Sequence, residues 1–469
     1  MISNLRRWAR FTLGRGAPRD HRERRSRGIF QGTASGAVWR VVMILVSVIS
    51  IPLTIRYLGS ERYGVWMTIS TVLVLLNITD FGLANSLTNA LGKSQAQDAR
   101  EAGQRYITSA FAVLSLIAAV ILICGTVFAS SIAAFLFPHL QSPLARTESG
   151  PAVMIALWIF ALNLPLVINT RVLAAHHENS LANLWNIVGA IGNLGAILIV
   201  IWFKGGLTSL ICGCFGFGLL TNIACAAWLF GFHKPWLRPK LAAVDLAFIK
   251  NLFSDGWKFF VTSVGSTVTW QTDNIVIAHF IGAALVTPYN VCFHLFTIAT
   301  GLQTLVQPSL WPAYTDAYAR RDYDWIRQTL RSNFKFSFFT TIVIVGILTI
   351  FANPIIRVWA GAVAVPPFSV IIWMAAWRLM LSTLSPGICL LNATGHLKGL
   401  AVYVTITAVL NLLLSILLAK ICGISGVIAA TAIAYAVASC IPIFVEVRGV
   451  LRNFPAVSTK PQAVPRIDV

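Results

Sequence analysis

The sequence predicts an all-α polytopic membrane protein. Three observations carry that prediction: an apolar composition, twelve recurrent apolar runs, and a charge asymmetry between alternate loops. Of 469 residues, 57% are hydrophobic and 11% charged, a balance that a water-exposed globule of this size could not keep in solution. A helix that crosses a bilayer needs roughly 20 mostly apolar residues. Such runs are centred near residues 47, 74, 117, 161, 192, 218, 268, 299, 343, 380, 410 and 436. They consume nearly the whole chain, so no soluble catalytic domain of ordinary size fits between them.

A net charge of +20 could suit nucleic acid, but its distribution argues against that partner. With a cytoplasmic N-terminus, Lys and Arg number 28 in the inner segments against 6 in the outer loops, with Arg40 and Arg378 inside spans. This is the positive-inside bias of a multi-pass bacterial inner-membrane protein with both termini in the cytoplasm.

In chain order, residues 1–28 form a basic cytoplasmic leader without the apolar core of a signal peptide. Ile2, Leu5, Trp8 and Ala9 share a helical face that excludes Arg6, Arg7 and Arg10. That pattern suits a helix lying on anionic lipid and equally an arginine-rich tail that only sets topology. Residues 29–232 hold six spans and 256–447 another six, joined by a cytoplasmic linker, 233–255. Around this join, Leu241, Val244, Phe248 and Leu252 have helical spacing, which places a helix at the membrane surface. Residues 448–469 are a polar cytoplasmic tail.

The two six-span bundles are related by an internal repeat. A shift of 223 residues lays YLGSERYGVW (57–66) on FIGAALVTPY (280–289), so that Gly59 meets Gly282 and Trp66 meets Tyr289. The basic segment 93–106 then falls on 316–329. Six being even, both halves enter from one side, which puts the repeat axis along the membrane normal and leaves a central cavity between the bundles.

Candidate chemistry is sparse. LGKS (91–94) lacks the first glycine of a phosphate-binding loop, since Leu87 stands in its place, so transport energy must come from an ion gradient, a partner or the substrate. Adjacent His176, His177 and Glu178 do not have spacing that lets ligands converge on a metal. Cys212 and Cys214 are wrongly spaced for a zinc or redox motif, and all eight cysteines read as packing. No cofactor and no enzymatic chemistry are expected.

Charges inside spans are the remaining signal, because each is expensive in a bilayer. Asp80, in LLNITDFGLANSL, can pair with Arg40 at similar depth across two antiparallel spans, or border the cavity as an ion-coupling carboxylate. Asp273 lies deeper, with Gln271, Asn274 and His279 nearby, and Arg378 lies near the middle of the tenth span. Neither Asp273 nor Arg378 is repeated in the other half. They either line a substrate cavity or pair with each other inside the second bundle. Asn77, Asn85, Asn163 and Asn169 read mostly as helix-to-helix glue.

The stretches IPLTIRYLGSERYGVW and DFGLANSL, then QTDNIVIAHFIG, PSLWPAYTDAYARRDYDWIR, IIRVWAG and LLNATGHLKG together resemble the polysaccharide transporters, the Wzx-type flippases of the multidrug/oligosaccharidyl-lipid/polysaccharide (MOP) exporter superfamily. The resemblance runs from about residue 30 to 450. It implies a flippase that moves undecaprenyl-pyrophosphate-linked oligosaccharide units between leaflets by alternating access, for O-antigen (lipopolysaccharide), capsule or exopolysaccharide. It also implies two six-helix bundles that form a V around a cationic central cavity, which Arg378 and Arg40 match as contacts for pyrophosphate or acidic sugars. The expected cavity set is Arg378, Asp273, Arg40, Asn274 and Gln271, with Asp80 and Asp273 as candidates for coupling to H+ or Na+. Expected partners are the lipid-linked oligosaccharide, membrane lipid, and a polysaccharide polymerase or glycosyltransferases. Two alternatives stay open: a cation-coupled multidrug exporter of the same superfamily, and a non-transporting membrane assembly partner of glycosyltransferases.

Overall fold

The computed structural model describes residues 21–97, 99–240 and 243–454. The leader face of Ile2, Leu5, Trp8 and Ala9, the linker residue Leu241 and the tail beyond 454 lie outside the described residues. Among those described, every regular element is helical. The chain divides into two compact units, one running to Thr287 with Trp359–Ala364 added, the other formed by Pro288–Val358 and the residues from Val365 onward. The seventh apolar run therefore groups with the first unit.

The first unit contains α1 (His21–Leu76), α2 (Leu83–Ala96), α3 (Arg100–Leu136), α4 (Pro143–Asn163), α5 (Ile168–Ala175), α6 (Asn179–Trp202), α7 (Leu207–Trp228) and α8 (Leu246–Phe280). The second contains α9 (Val286–Thr297), which begins just before the division, then α10 (Gly301–Ala319), α11 (Tyr323–Trp359), α12 (Phe368–Ala393), α13 (Leu397–Tyr435) and α14 (Ile441–Asn453). Eight described stretches are helical, long and apolar enough to cross a membrane. Two of them, Ala34–Asp80 and Gly399–Asn453, are broken at Gly59 (φ 76°) and Gly423 (φ 60°). At about 1.5 Å per residue, each side of either break can span a hydrocarbon core of its own.

Over residues 118–133, α3 hides small residues and shows large ones, the reverse of a helix in a soluble bundle. On α3, Gly125, Ala129 and Ala133 are buried along one stripe, while Ile123 and Val127 are more than half exposed. Small residues let backbones approach where lipid offers no hydrophobic gain on association. Here α3 packs on α4 and α4 on α7, and α6 packs on both α1 and α7. In the second unit α12 lies against both α10 and α13.

Local sequence fixes several ends. Ser142 caps α4, with Pro143 at its first position and the Ser142 hydroxyl oxygen accepting from Ala145 N–H. Asp245 caps α8 through a 2.8 Å bond from Ala247 N–H. That cap refines the linker reading. Val244 precedes the helix, and α8 then runs for 35 residues into the seventh apolar run, so that Phe248 and Leu252 belong to it. A strong N-cap one residue after Val244 decides the start, which hydrophobic spacing cannot see.

The 223-residue shift reappears in element bounds. Helices α3 and α11 are each 37 residues long, begin 223 residues apart and end 223 residues apart. Gly59 and Gly282, superposed by the same shift, both adopt positive φ, 76° and 133°.

The turn after Gly59 ties together one end of the first unit. Arg62 donates twice to the Glu148 carboxylate, at 2.8 and 2.9 Å, and Glu148 also accepts from Leu207 N–H. Glu61 accepts from Gln141 N–H and Ser142 N–H, and Tyr57 O–H donates to the Gly205 carbonyl at 2.7 Å. One short segment thus anchors two further loops. Because the Arg62 and Glu148 side chains are only 15% and 16% exposed, Arg62→Ala should lower stability by about 2 to 3 kcal/mol by stranding a half-buried carboxylate. Thermal melting of the purified protein reads this, and Arg62→Ala/Glu148→Gln together should recover part of the loss.

Candidate functional site

Asp80 ends a helix and does not sit inside one. Helix α1 stops at Leu76, a 3-10 turn covers Asn77–Asp80, and Phe81 (φ 50°) and Gly82 (φ 72°) are left-handed before α2 begins. Asp80 Oδ1 accepts the Gly82 N–H at 2.8 Å, an aspartate turn that competes with helix continuation. The cation close enough to favour the Asp80 carboxylate electrostatically is Arg171, on α5, where the sequence had offered Arg40 or the cavity wall. Arg40 is exposed on α1. Arg171 has a buried Nε without a hydrogen-bond partner. Loop counting had assigned Arg171 to a connection, yet its apolar surroundings, VINTRVLAA, fit the helix in which it lies.

The Asp80 turn rests on α8. Phe81 packs against Phe253 and Phe260, with ring centroids 6.4 and 5.4 Å away, and Gly82 lies directly on the Gly256 backbone. Farther along α8, Asp273 is 6% exposed and Gln271 is half-buried. Asn274 Nδ2 donates to Thr71 Oγ1 at 2.9 Å, while Asn274 Oδ1 is buried without a partner. Arg40, Asp80, Gln271, Asp273 and Asn274 all belong to the first unit; Arg378 belongs to the second.

Arg378 sits on α12 at 3% exposure. Its guanidinium lies against two aromatic rings that touch each other, 4.4 Å from the Phe293 centroid and 4.7 Å from that of Trp377, with the two centroids 5.9 Å apart. Nη2 donates to Thr297 Oγ1 at 2.9 Å and to the Phe293 carbonyl at 3.3 Å, and Thr297 passes its own proton to that carbonyl at 2.8 Å. The C-terminal turn of α9, with its partial negative charge, therefore meets the cation. These partners are neutral, and Nε is buried without one. The two rings offset part of the desolvation, by about 2 kcal/mol at such a site, so a positive charge persists that an anion could complete. Sequence reasoning found Arg378 and missed Phe293, Trp377 and Thr297, since nothing in a one-dimensional pattern says that α9 abuts α12.

Glu178 acts as a structural tie. Its carboxylate meets His233 Nε2 and Lys234 Nζ, each at 3.0 Å. His176 Nδ1 lies 2.8 Å from the Val172 carbonyl, an acceptor only, so the proton sits on Nδ1. Burial lowers the His176 pKa from its ordinary value, and the nearby Lys234 adds to that effect. Among the described residues no group of His, Cys, Asp and Glu is gathered as metal ligands would be.

A family model described as polysaccharide biosynthesis protein matches residues 29–317. A Yersinia pseudotuberculosis protein provisionally named for O-antigen export is 22% identical over 382 residues, covering 79% of this chain and 85% of that protein. In fold the chain is similar to a multidrug-resistance MATE family transporter of the MOP superfamily, with a TM-score of 0.74 at 14% identity over 88% of this chain and 94% of that one. It is also similar to the lipid II flippase MurJ, with a TM-score of 0.68 at 15% identity over 88% of this chain and 87% of that one.

Proposed function

We propose, for a chain that belongs to the polysaccharide biosynthesis protein family, that it translocates undecaprenyl-pyrophosphate-linked oligosaccharide units from the inner to the outer leaflet of the bacterial inner membrane. The units serve O-antigen, capsule or exopolysaccharide synthesis. The observation that carries this reading is Arg378, a guanidinium at 3% exposure whose hydrogen-bond partners are all neutral. A cation kept in an apolar bundle at that cost suits a substrate with an anionic head, and planar guanidinium matches pyrophosphate oxygens. Two relatives named for O-antigen export or transport, from Yersinia pseudotuberculosis and Salmonella typhi, support the same substrate class.

In this reading twelve crossings form two repeat-related six-helix bundles, with both termini cytoplasmic as the loop charges require. The bundles alternate access to a site that shields the sugars while the lipid tail stays in the bilayer. Arg40, Gln271, Asp273 and Asn274 contribute polar wall. Asp80, within the electrostatic influence of Arg171, and Asp273 couple transport to H+ or Na+ through the change in charge that protonation or ion binding brings.

The test follows lipid-linked oligosaccharide in each leaflet of a deletion strain. Inner-leaflet accumulation that the wild-type gene relieves supports translocation. An unchanged leaflet distribution, combined with restored dye efflux on re-expression, would make the protein a drug exporter instead. In the same strain Asp80→Asn and Asp273→Asn together should abolish the dependence of transport on the ion gradient; an unaltered dependence removes both from the coupling role.

A further inference from the structure

At the end of the first unit remote from Arg100, a cavity of about 520 Å3 opens between the last turns of α3 and the first turns of α4. Phe137, Leu140 and Pro151 supply apolar wall, and Ser130, Arg146 and Thr147 supply polar rim. The volume falls within the usual range for small-molecule sites. Arg146 is the one Lys or Arg between Arg105 and Arg171.

Arg146 is already oriented. Its Nε donates to the Leu140 carbonyl at 2.8 Å, which fixes the guanidinium plane and leaves the two Nη groups to other acceptors. The carboxylates of the neighbouring turn are committed elsewhere, Glu61 to the N–H groups of Gln141 and Ser142, and Glu148 to Arg62. Arg146 also stands in the first turn of α4, where the dipole of a 21-residue helix disfavours a cation and favours an anion. Cavity, oriented guanidinium and helix terminus all ask for the same charge.

The surface leading to the cavity indicates what carries that charge. On α3, Ile123 and Phe135 are 64% and 65% exposed, and Leu144 beside Arg146 is 52% exposed. An apolar face of that kind is lipid-facing in a membrane helix. We propose that the cavity seats the phosphate of an anionic glycerophospholipid from the leaflet facing away from the basic loops, with the Arg146 Nη groups on the phosphate and the acyl chains along α3 and α4. The site is independent of the transport reading.

Native mass spectrometry of the full-length protein, titrated with phosphatidylglycerol and separately with phosphatidylcholine, measures retention of each lipid. Wild type should bind phosphatidylglycerol more tightly than phosphatidylcholine. Arg146→Ala should weaken phosphatidylglycerol about tenfold, the loss of one charge-assisted contact, whereas Arg146→Lys should stay within about threefold. Arg56→Ala, which removes another exposed cation, should change nothing, and melting temperatures verify that each variant is folded. Equal binding by wild type and Arg146→Ala overturns the proposal, as does an equal loss in Arg56→Ala. Displacement of the lipid by equimolar inorganic phosphate would mean that the cavity recognises the anion alone, and would overturn the lipid assignment.

Discussion

Arg378→Ala is expected to reduce leaflet-to-leaflet transport of the lipid-linked oligosaccharide by one to two orders of magnitude, at unchanged expression. The estimate follows from a charge-assisted hydrogen bond to the substrate, worth about 1.5 to 3 kcal/mol, at about 1.4 kcal/mol per tenfold. Arg378→Lys should restore little. An ammonium cannot stack as a planar guanidinium does on the Phe293 and Trp377 rings, which the guanidinium approaches at 4.4 and 4.7 Å, and it cannot present a planar fork to pyrophosphate. A purely structural Arg378 would give a different pattern, because its bond to Thr297 Oγ1 pins α12 to the end of α9. Thr297→Val removes that bond and keeps the charge. If Arg378 binds substrate, Thr297→Val should lower the melting temperature with only a small effect on transport, and Arg378→Ala should lower both. Equal effects of the two variants on transport would assign Arg378 to the scaffold.

What could be read in advance divides along the same physical line. The fold class was legible because a bilayer imposes runs of about 20 apolar residues and a loop-charge bias, both one-dimensional signals. The 223-residue offset was legible because Gly59 and Gly282 mark turns of positive φ, and the bounds of α3 and α11 stand at the same offset. Asp80, Asp273 and Arg378 stood out as charges in apolar surroundings. Their partners did not. Arg171 lies in α5, which the apolar runs had left among the connections, so the readings open for Asp80 were a pair with Arg40 or the cavity wall, and the influence of Arg171 was not among them. Likewise Glu148 is a plain acidic residue in a polar segment until the fold brings it to Arg62, 86 positions away. Sequence gives the cost of a buried charge; only packing of non-local helices gives what offsets it.

Gly82→Ala should be strongly destabilising, because it combines a positive φ with a backbone obstacle. At φ 72° a Cβ is strained by roughly 1 to 2 kcal/mol, and the new methyl would collide with the Gly256 carbonyl of α8. That obstacle is backbone and cannot rotate away. Relief requires α8 to move off the Asp80 turn, which would open the Phe81 contacts with Phe253 and Phe260 and disturb the Asp80 to Gly82 bond. Overpacking of this kind adds about 1 to 3 kcal/mol to the strain. The combined loss should appear as a melting temperature lowered by several degrees, with faster proteolysis of the segment at the start of α8. The control lies ten residues downstream. Gly92 sits within α2 with open space around an added Cβ, so Gly92→Ala should be neutral or stabilising by up to about 1 kcal/mol through helix propensity alone. If Gly82→Ala melted like Gly92→Ala, the close approach of the Asp80 turn to α8 would be refuted, and with it the route by which a change of charge at Asp80 could reach the helix that carries Asp273.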